Sequence, residues 1–198
     1  MSSLRIPLPL AFLVIGAPVF AGSAPGIKNF DKVDEQVYRG GQPTDEGFRY
    51  LAKLGVKSII DLREADSRSS AERQSVTAAG MKYINVPMTG LTAPSQAEIG
   101  KIMAILEDSN QGPVFVHCKR GADRTGAVIA AYNIQHHKWA NDRALKDAMA
   151  HKMSFFQFPR QGFIRSYRAK TVDASAAPAS APAPAAAMIV PVPAGTKN

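Results

Sequence analysis

Residues 114–126 read Val-Phe-Val-His-Cys-Lys-Arg-Gly-Ala-Asp-Arg-Thr-Gly. A β-branched and aromatic run, a good buried strand, leads straight into His117 and Cys118. Lys119 to Asp123 form a short loop containing Gly121, and Arg124 closes it as a helix begins at Thr125. A loop that opens a helix turns backbone N–H groups inward, and the helix dipole adds positive potential, so the two form a cradle for a tetrahedral oxyanion. The guanidinium of Arg124 is a planar fork able to hold two oxygens of one phosphate. Cys118 lies at the bottom, where N–H donors and a cation favour its thiolate. Thr125 is placed to hydrogen-bond the sulfur. A lone buried cysteine is ordinarily an inert small hydrophobe, but this surrounding gives Cys118 chemistry.

Working outward, apolar runs alternate with helical patterns. Gln36–Arg39 predicts a short strand closed by Gly40-Gly41-Gln42-Pro43. Thr44 predicts an N-cap, with Phe48, Leu51 and Leu54 at helical spacing and Gly55 just past the end. Val56–Leu62 and Met81–Val86 predict strands, with a helix over Ser70–Ala79 between them. Ser95 predicts a cap for a helix carrying Ile99, Ile102, Met103, Ile105 and Leu106, and a further helix covers Ala140–Met149. Strands alternating with helices predict an α/β fold of three layers, a largely parallel sheet covered on both faces.

The ends of the 198-residue chain have another character. Arg5 precedes an apolar run from Ile6 to Phe20, and Val19-Phe20-Ala21 offers a cleavage site, so residues 1–21 read as a signal peptide. Prolines at 7, 9 and 18 make that run a poor membrane span. Residues 174–198 are rich in Ala and Pro and read as a disordered tail. Residues 22–173 remain as one catalytic domain, and the leader predicts a periplasmic or secreted protein. The single cysteine excludes an internal disulfide and a multi-cysteine zinc site. The net charge of +8 favours anionic partners. No nucleic-acid motif accompanies it, and no nucleic-acid partner is expected.

His117-Cys118 followed by five residues and Arg124-Thr125 matches the HC-x5-R-[ST] signature of the cysteine-dependent protein tyrosine phosphatases. The short chain resembles the dual-specificity branch, in particular its bacterial periplasmic and atypical members. Val37–Pro43, Ile59–Arg63 and Thr125-Gly126 are similar as well, so the resemblance covers about residues 36–150. It implies a tyrosine-phosphatase-like fold without metal or organic cofactor. It further implies that Cys118 is the nucleophile and that Arg124 binds phosphate. By the same resemblance, Lys119, Arg120, Gly121, Ala122 and Asp123 line the phosphate loop, His117 is similar to the residue that tunes the thiolate, and Thr125 to the hydroxyl that assists hydrolysis of phosphocysteine.

One part of that pattern is missing. The family's aspartate general acid sits on a loop after the strand equivalent to Met81–Val86, but here Pro87–Pro94 holds no acidic residue. Asp123, Asp61, Glu64 and Asp66 are the alternatives. Asp123 can equally brace the loop by an ion pair, and Asp61 can pair with Arg63. Lys119 and Arg120 are either solvated charges or readers of a second anionic group. His136, His137 and His151 are not expected to hold a metal, since the first two are adjacent on a helix and point apart. Phe155, Phe156, Phe158, Phe163 and Tyr167 are expected in the core or docked at the C-terminus.

The expected activity is hydrolysis of phosphate monoesters, aryl phosphates such as phosphotyrosine foremost, on a protein or a small molecule. A phosphoinositide or other small phosphoester is the alternative substrate, and a phosphate-binding pseudophosphatase is the alternative class. Arg124-Thr125 fits phosphate better than sulfur transfer.

Overall fold

The computed structural model describes residues 24–169. The leader over residues 1–21 and the tail over 174–198 lie outside the described residues. A five-stranded sheet has the order β1-β2-β5-β3-β4, with β1 at Asp31–Lys32, β2 at Val37–Gly41, β3 at Ser58–Asp61, β4 at Lys82–Asn85 and β5 at Val114–Cys118. The last four pair in parallel, and β1 is an antiparallel edge. The chain passes from β2 to β3 and leaves a gap that β5 later fills. Crevices at the carboxyl ends of strands, where winding reverses, are where open α/β sheets bind ligands. Cys118 ends the strand that fills this gap.

Among the described residues six α-helices complete the layers: α1 Asp45–Lys53, α2 Ser67–Ala78, α3 Gln96–Leu106, α4 Asp123–Gln135, α5 Asn141–Ala150 and α6 Phe158–Ser166. Successive side chains of a strand point to opposite faces. Ile59 and Phe115 accordingly pack with Phe48, Leu51 and Val76 of α1 and α2. Ile60, Val114 and Val116 pack with Ile99, Ile102, Ala127 and Ile164 on the other face. Phe115 is wholly buried, and its truncation to Ala would cost about 3–5 kcal/mol. Thr44 and Ser95 cap α1 and α3 as their sequence predicts. Asp66 caps α2 in a reciprocal box with Ser69, which starts that helix three residues earlier than expected.

Several expectations are corrected. Leu54 belongs to the helical stripe by spacing yet is 37% exposed, because it is the C-cap of α1, where the chain turns at Gly55 with φ +85°. Phe163 and Tyr167 pack on the core, but Phe155, Phe156 and Phe158 face solvent. The first two lie on the turn before α6, and Phe158 opens the helix on its outer side. That helix escaped the sequence reading because Pro159 and Gly162 interrupt its pattern; Pro is tolerated in the first turn.

Candidate active site

The loop from Cys118 to Arg124 begins at the carboxyl end of β5 and ends in the first turn of α4. Its shape depends on Gly121, whose φ is +69°; a Cβ there would stand 2.2 Å from the Gly40 carbonyl carbon and 2.4 Å from the Gly41 nitrogen. No side chain fits that contact, so the glycines of β2 and of the loop lie backbone against backbone. The Gly121 carbonyl accepts from Asn29 Nδ2 at 2.9 Å and from Arg39 Nη2 at 3.2 Å. Arg39 is buried, and burial pushes its guanidinium pKa down to about 10 against the pull of Asp147, Asp31 and Cys118. The sequence reading missed both residues; a lone Arg in a short strand and a lone Asn in a turn carry no local signal.

Burial pushes the Cys118 thiol up. The Thr125 hydroxyl and amide, the Arg120 amide and the Arg124 charge outweigh it and hold the pKa below that of an ordinary thiol. Thr125 is itself fully buried, and its hydroxyl has no oxygen or nitrogen partner. His117, the residue before Cys118 on β5, is buried, its ring stacked on Phe115 with centroids 5.7 Å apart. Its Nε2 lies 2.8 Å from Glu72 Oε1 and 3.9 Å from Asp61 Oδ1. The N–H is not aimed along the shorter contact, so the pair attracts as charges more than as a linear hydrogen bond. Burial pushes the His117 pKa down, but Glu72 and Asp61 more than offset it and the net shift is upward. Arg63 Nη2 sits 2.6 Å from both Asp61 Oδ2 and Glu72 Oε2. A cation therefore already occupies the space between these carboxylates. Glu72 was another residue the sequence hid, since α2 has little amphipathic pattern to show which face is buried.

Arg124 is oriented from one side. Its Nη1 donates to Glu64 Oε2 at 2.9 Å, to the Met88 carbonyl at 3.0 Å and to the Leu62 carbonyl at 3.4 Å. Among the described residues its bonds to protein all leave from that nitrogen, which leaves Nε and Nη2 as the fork for an oxyanion. Arg160 of α6, wholly buried, ties the loop before α3 in place by donating to the carbonyls of Thr89 and Gly90 and to Gln157 Oε1. Burial lowers its pKa, and the nearby Arg124 charge lowers it further, while Asp123, Cys118 and Glu64 act in the opposite direction. Arg160 thus brings a second guanidinium close to the cradle.

The carboxylates separate clearly. Asp123 is buried, with Oδ1 accepting the Ser154 amide at 2.8 Å and Oδ2 paired with Arg120. Both of its oxygens thus hold neighbours. Asp61 is closed in by Arg63 and Tyr83, and Asp66 caps α2 with a pKa lowered to about 2 by its Arg68 bond. Glu64 alone is half exposed beside Arg124, and its own amide together with Arg124 holds its carboxyl below the usual range. Lys119 is exposed, and the Arg120 side chain turns outward to Asp123, so only its backbone faces the sulfur. The Ala122 side chain is buried under the loop. At the far end of α4, His136 and His137 converge with Asp34 although they are adjacent in sequence, their rings perpendicular and 4.9 Å apart. There Asp34 Oδ2 already takes the Tyr132 hydroxyl at 2.9 Å and His137 at 2.8 Å. His151 pairs instead with Asp31 and Asp147.

The chain is similar to known proteins in fold and in sequence. The crystal structure of TpbA from P. aeruginosa superposes with a TM-score of 0.62 at 22% identity, covering 73% of this chain and 92% of that one; at that identity the likeness is one of fold. The human phosphatidylglycerophosphatase and protein-tyrosine phosphatase 1 is 30% identical over 137 residues, 65% of this chain and 68% of that protein. The probable chloroplastic NAD kinase 2 of Oryza sativa subsp. japonica is 31% identical over 119 residues, 58% of this chain but only 12% of that protein. A family model described as DSP-PTPase phosphatase fused to NAD+ kinase matches residues 18–166. The loop from Cys118 to Arg124 thus stands on a tyrosine-phosphatase-like fold, and the chain belongs to this family of dual-specificity-type phosphatase domains.

Proposed function

We propose that the protein hydrolyses phosphate monoesters through a phosphocysteine intermediate. The observation that carries this reading is the convergence of a thiol of lowered pKa, inward loop amides and the Arg124 fork at the end of β5. The Cys118 thiolate attacks phosphorus in line, an S–P bond forms and the ester P–O bond breaks. Water then attacks phosphorus, the S–P bond breaks, and inorganic phosphate leaves with the thiolate restored. Thr125 steadies the departing sulfur, and Arg124 with the loop amides holds the equatorial oxygens where charge spreads in the transition state. None of this uses a metal or an organic cofactor.

Aryl phosphates, phosphotyrosine among them, are the favoured substrates. With Asp123, Asp61 and Asp66 engaged and Glu64 held ionised, a leaving group that departs without a proton reacts best. A phosphoinositide or other small phosphoester is the alternative within the same chemistry, in keeping with the lipid phosphatase activity named for the human relative. The same shortage of a proton donor also favours a second reading, a phosphate-binding module with little turnover. Release of p-nitrophenol from its phosphate ester by wild type and Cys118→Ser decides between them. Turnover lost in the serine variant supports the enzyme, while phosphate binding without turnover in the wild type supports the module. The Arg5 and Ile6–Phe20 pattern supports a periplasmic or secreted setting.

A further inference from the structure

Phe155, Phe156 and Phe158 are 65%, 78% and 59% exposed, unusual for three phenylalanines within four positions. Their rings meet edge to face, Phe155 at 5.8 Å from Phe156 and 5.7 Å from Phe158. The turn that carries them is rigidly built. Gln161 Nε2 donates to the carbonyls of Ser154 and Phe155, and the Phe156 amide donates to Ser154 Oγ. It is also fixed to the cradle, since the Ser154 amide binds Asp123 at 2.8 Å, one residue before Arg124. Arg160 fastens the same helix to Thr89 and Gly90, and the next residue, Leu91, is 76% exposed. The apolar patch therefore borders the mouth of the phosphate loop. Lys152, two residues before Ser154, is exposed, as are Lys119 and Arg120 of the loop that Ser154 joins through Asp123, on a chain of net charge +8.

Size and composition select the occupant. A Phe ring buries about 150–250 Å², so the exposed parts of three give roughly 300–500 Å². A stable protein–protein interface needs about 800 Å² per partner and is built on Trp, Tyr and Arg anchors. A few apolar rings flanked by basic residues instead match interfacial lipid binding, where burial and attraction to anionic headgroups act together. We propose that Phe155, Phe156 and Phe158, with Leu91, dock this protein on an anionic lipid surface so that the phosphate cradle faces the bilayer. This goes beyond the hydrolytic reading and does not depend on it.

The test is co-sedimentation of the full chain with vesicles of phosphatidylcholine alone or mixed with phosphatidylglycerol. The wild type is expected to bind the mixed vesicles, to bind the neutral ones far less, and to be released by salt. Phe155→Ser/Phe156→Ser should lower the bound fraction at least about tenfold while p-nitrophenyl phosphate turnover is retained. Phe156→Trp should keep binding, which separates loss of the anchor from loss of the fold. Absence of wild-type binding, or equal binding by the double variant, overturns the proposal. So does a wild-type dimer in sedimentation velocity that the double variant abolishes, because the patch would then serve a second copy of the chain.

Discussion

Glu64 Oε2 stands 2.9 Å from Arg124 Nη1, so a half-exposed carboxylate grips the outer corner of the guanidinium at the end of the loop. The pair orients the fork before any substrate arrives, and it keeps Glu64 ionised. Glu64→Gln preserves a hydrogen bond and removes the charge. We expect kcat/KM to change by less than about tenfold, since exposed ion pairs are worth about 0–1 kcal/mol. A fall of about 10²–10⁴-fold, with a steeper dependence on leaving-group basicity, would identify Glu64 as a proton donor instead.

Arg124→Lys keeps the charge and loses the two-pronged geometry. Turnover should fall about a hundred- to thousandfold, the usual loss for one transition-state contact of this type. Steady-state kinetics on p-nitrophenyl phosphate measure it directly. Near wild-type rates in the lysine variant would take Arg124 out of the mechanism.

Cys118 should react with iodoacetate at a pH below the ordinary thiol midpoint of about 8.5, because the thiolate is favoured over burial. Thr125→Val removes the hydroxyl and should move that midpoint upward. A midpoint unchanged between the two proteins would remove the hydroxyl from the account.

Asp123→Asn should leave the dependence of kcat/KM on leaving-group pKa as it is and lower stability by about 1–3 kcal/mol. The basis is that both oxygens hold neighbours, the Ser154 amide and Arg120. If the wild-type dependence is shallow and steepens in the variant, Asp123 donates the proton and the brace is secondary.

His117 carries a raised pKa between Glu72 and Asp61, so its contribution to stability has a definite direction. It is fully present below the unfolded value of about 6.5 and is lost as pH rises through the folded value. Glu72→Gln should remove most of that dependence. Melting temperature followed from pH 6 upward checks this: the wild type should decline more steeply than the variant, and parallel curves would refute the coupling.

The parts legible in sequence were those whose partners are near in the chain. The strand, loop and helix over 114–126 signal themselves because Cys118, Gly121, Arg124 and Thr125 act within one turn of backbone. Thr44 and Ser95 were legible for the same reason, each cap bonding three residues ahead. Hidden were the buried and half-buried polar residues that meet the loop from a distance. Asn29 reaches Gly121 across 92 positions, Arg39 across 82, and Arg160 reaches Gly90 across 70. In sequence each looks like an ordinary surface residue, because burial of a polar group is decided by its partner and not by its own periodicity. The exposed phenylalanines failed in the opposite sense: composition places such residues inside, while the turn at 154–157 and the outer side of the first residue of α6 carry them out.

The Gly121 oxygen is where the earliest described segment of the chain, the second strand and the catalytic turn all meet. Asn29 brings a further tie, for its Nδ2 also donates to the His151 carbonyl at 2.9 Å, at the end of α5. Fraying at that outer border would unfasten the carbonyl and let the cradle lose its curvature while the central sheet still stands. Catalytic competence should therefore act as a sentinel. In a urea series, turnover is expected to disappear at a lower concentration than the far-ultraviolet circular dichroism signal, and Asn29→Ala should widen that interval.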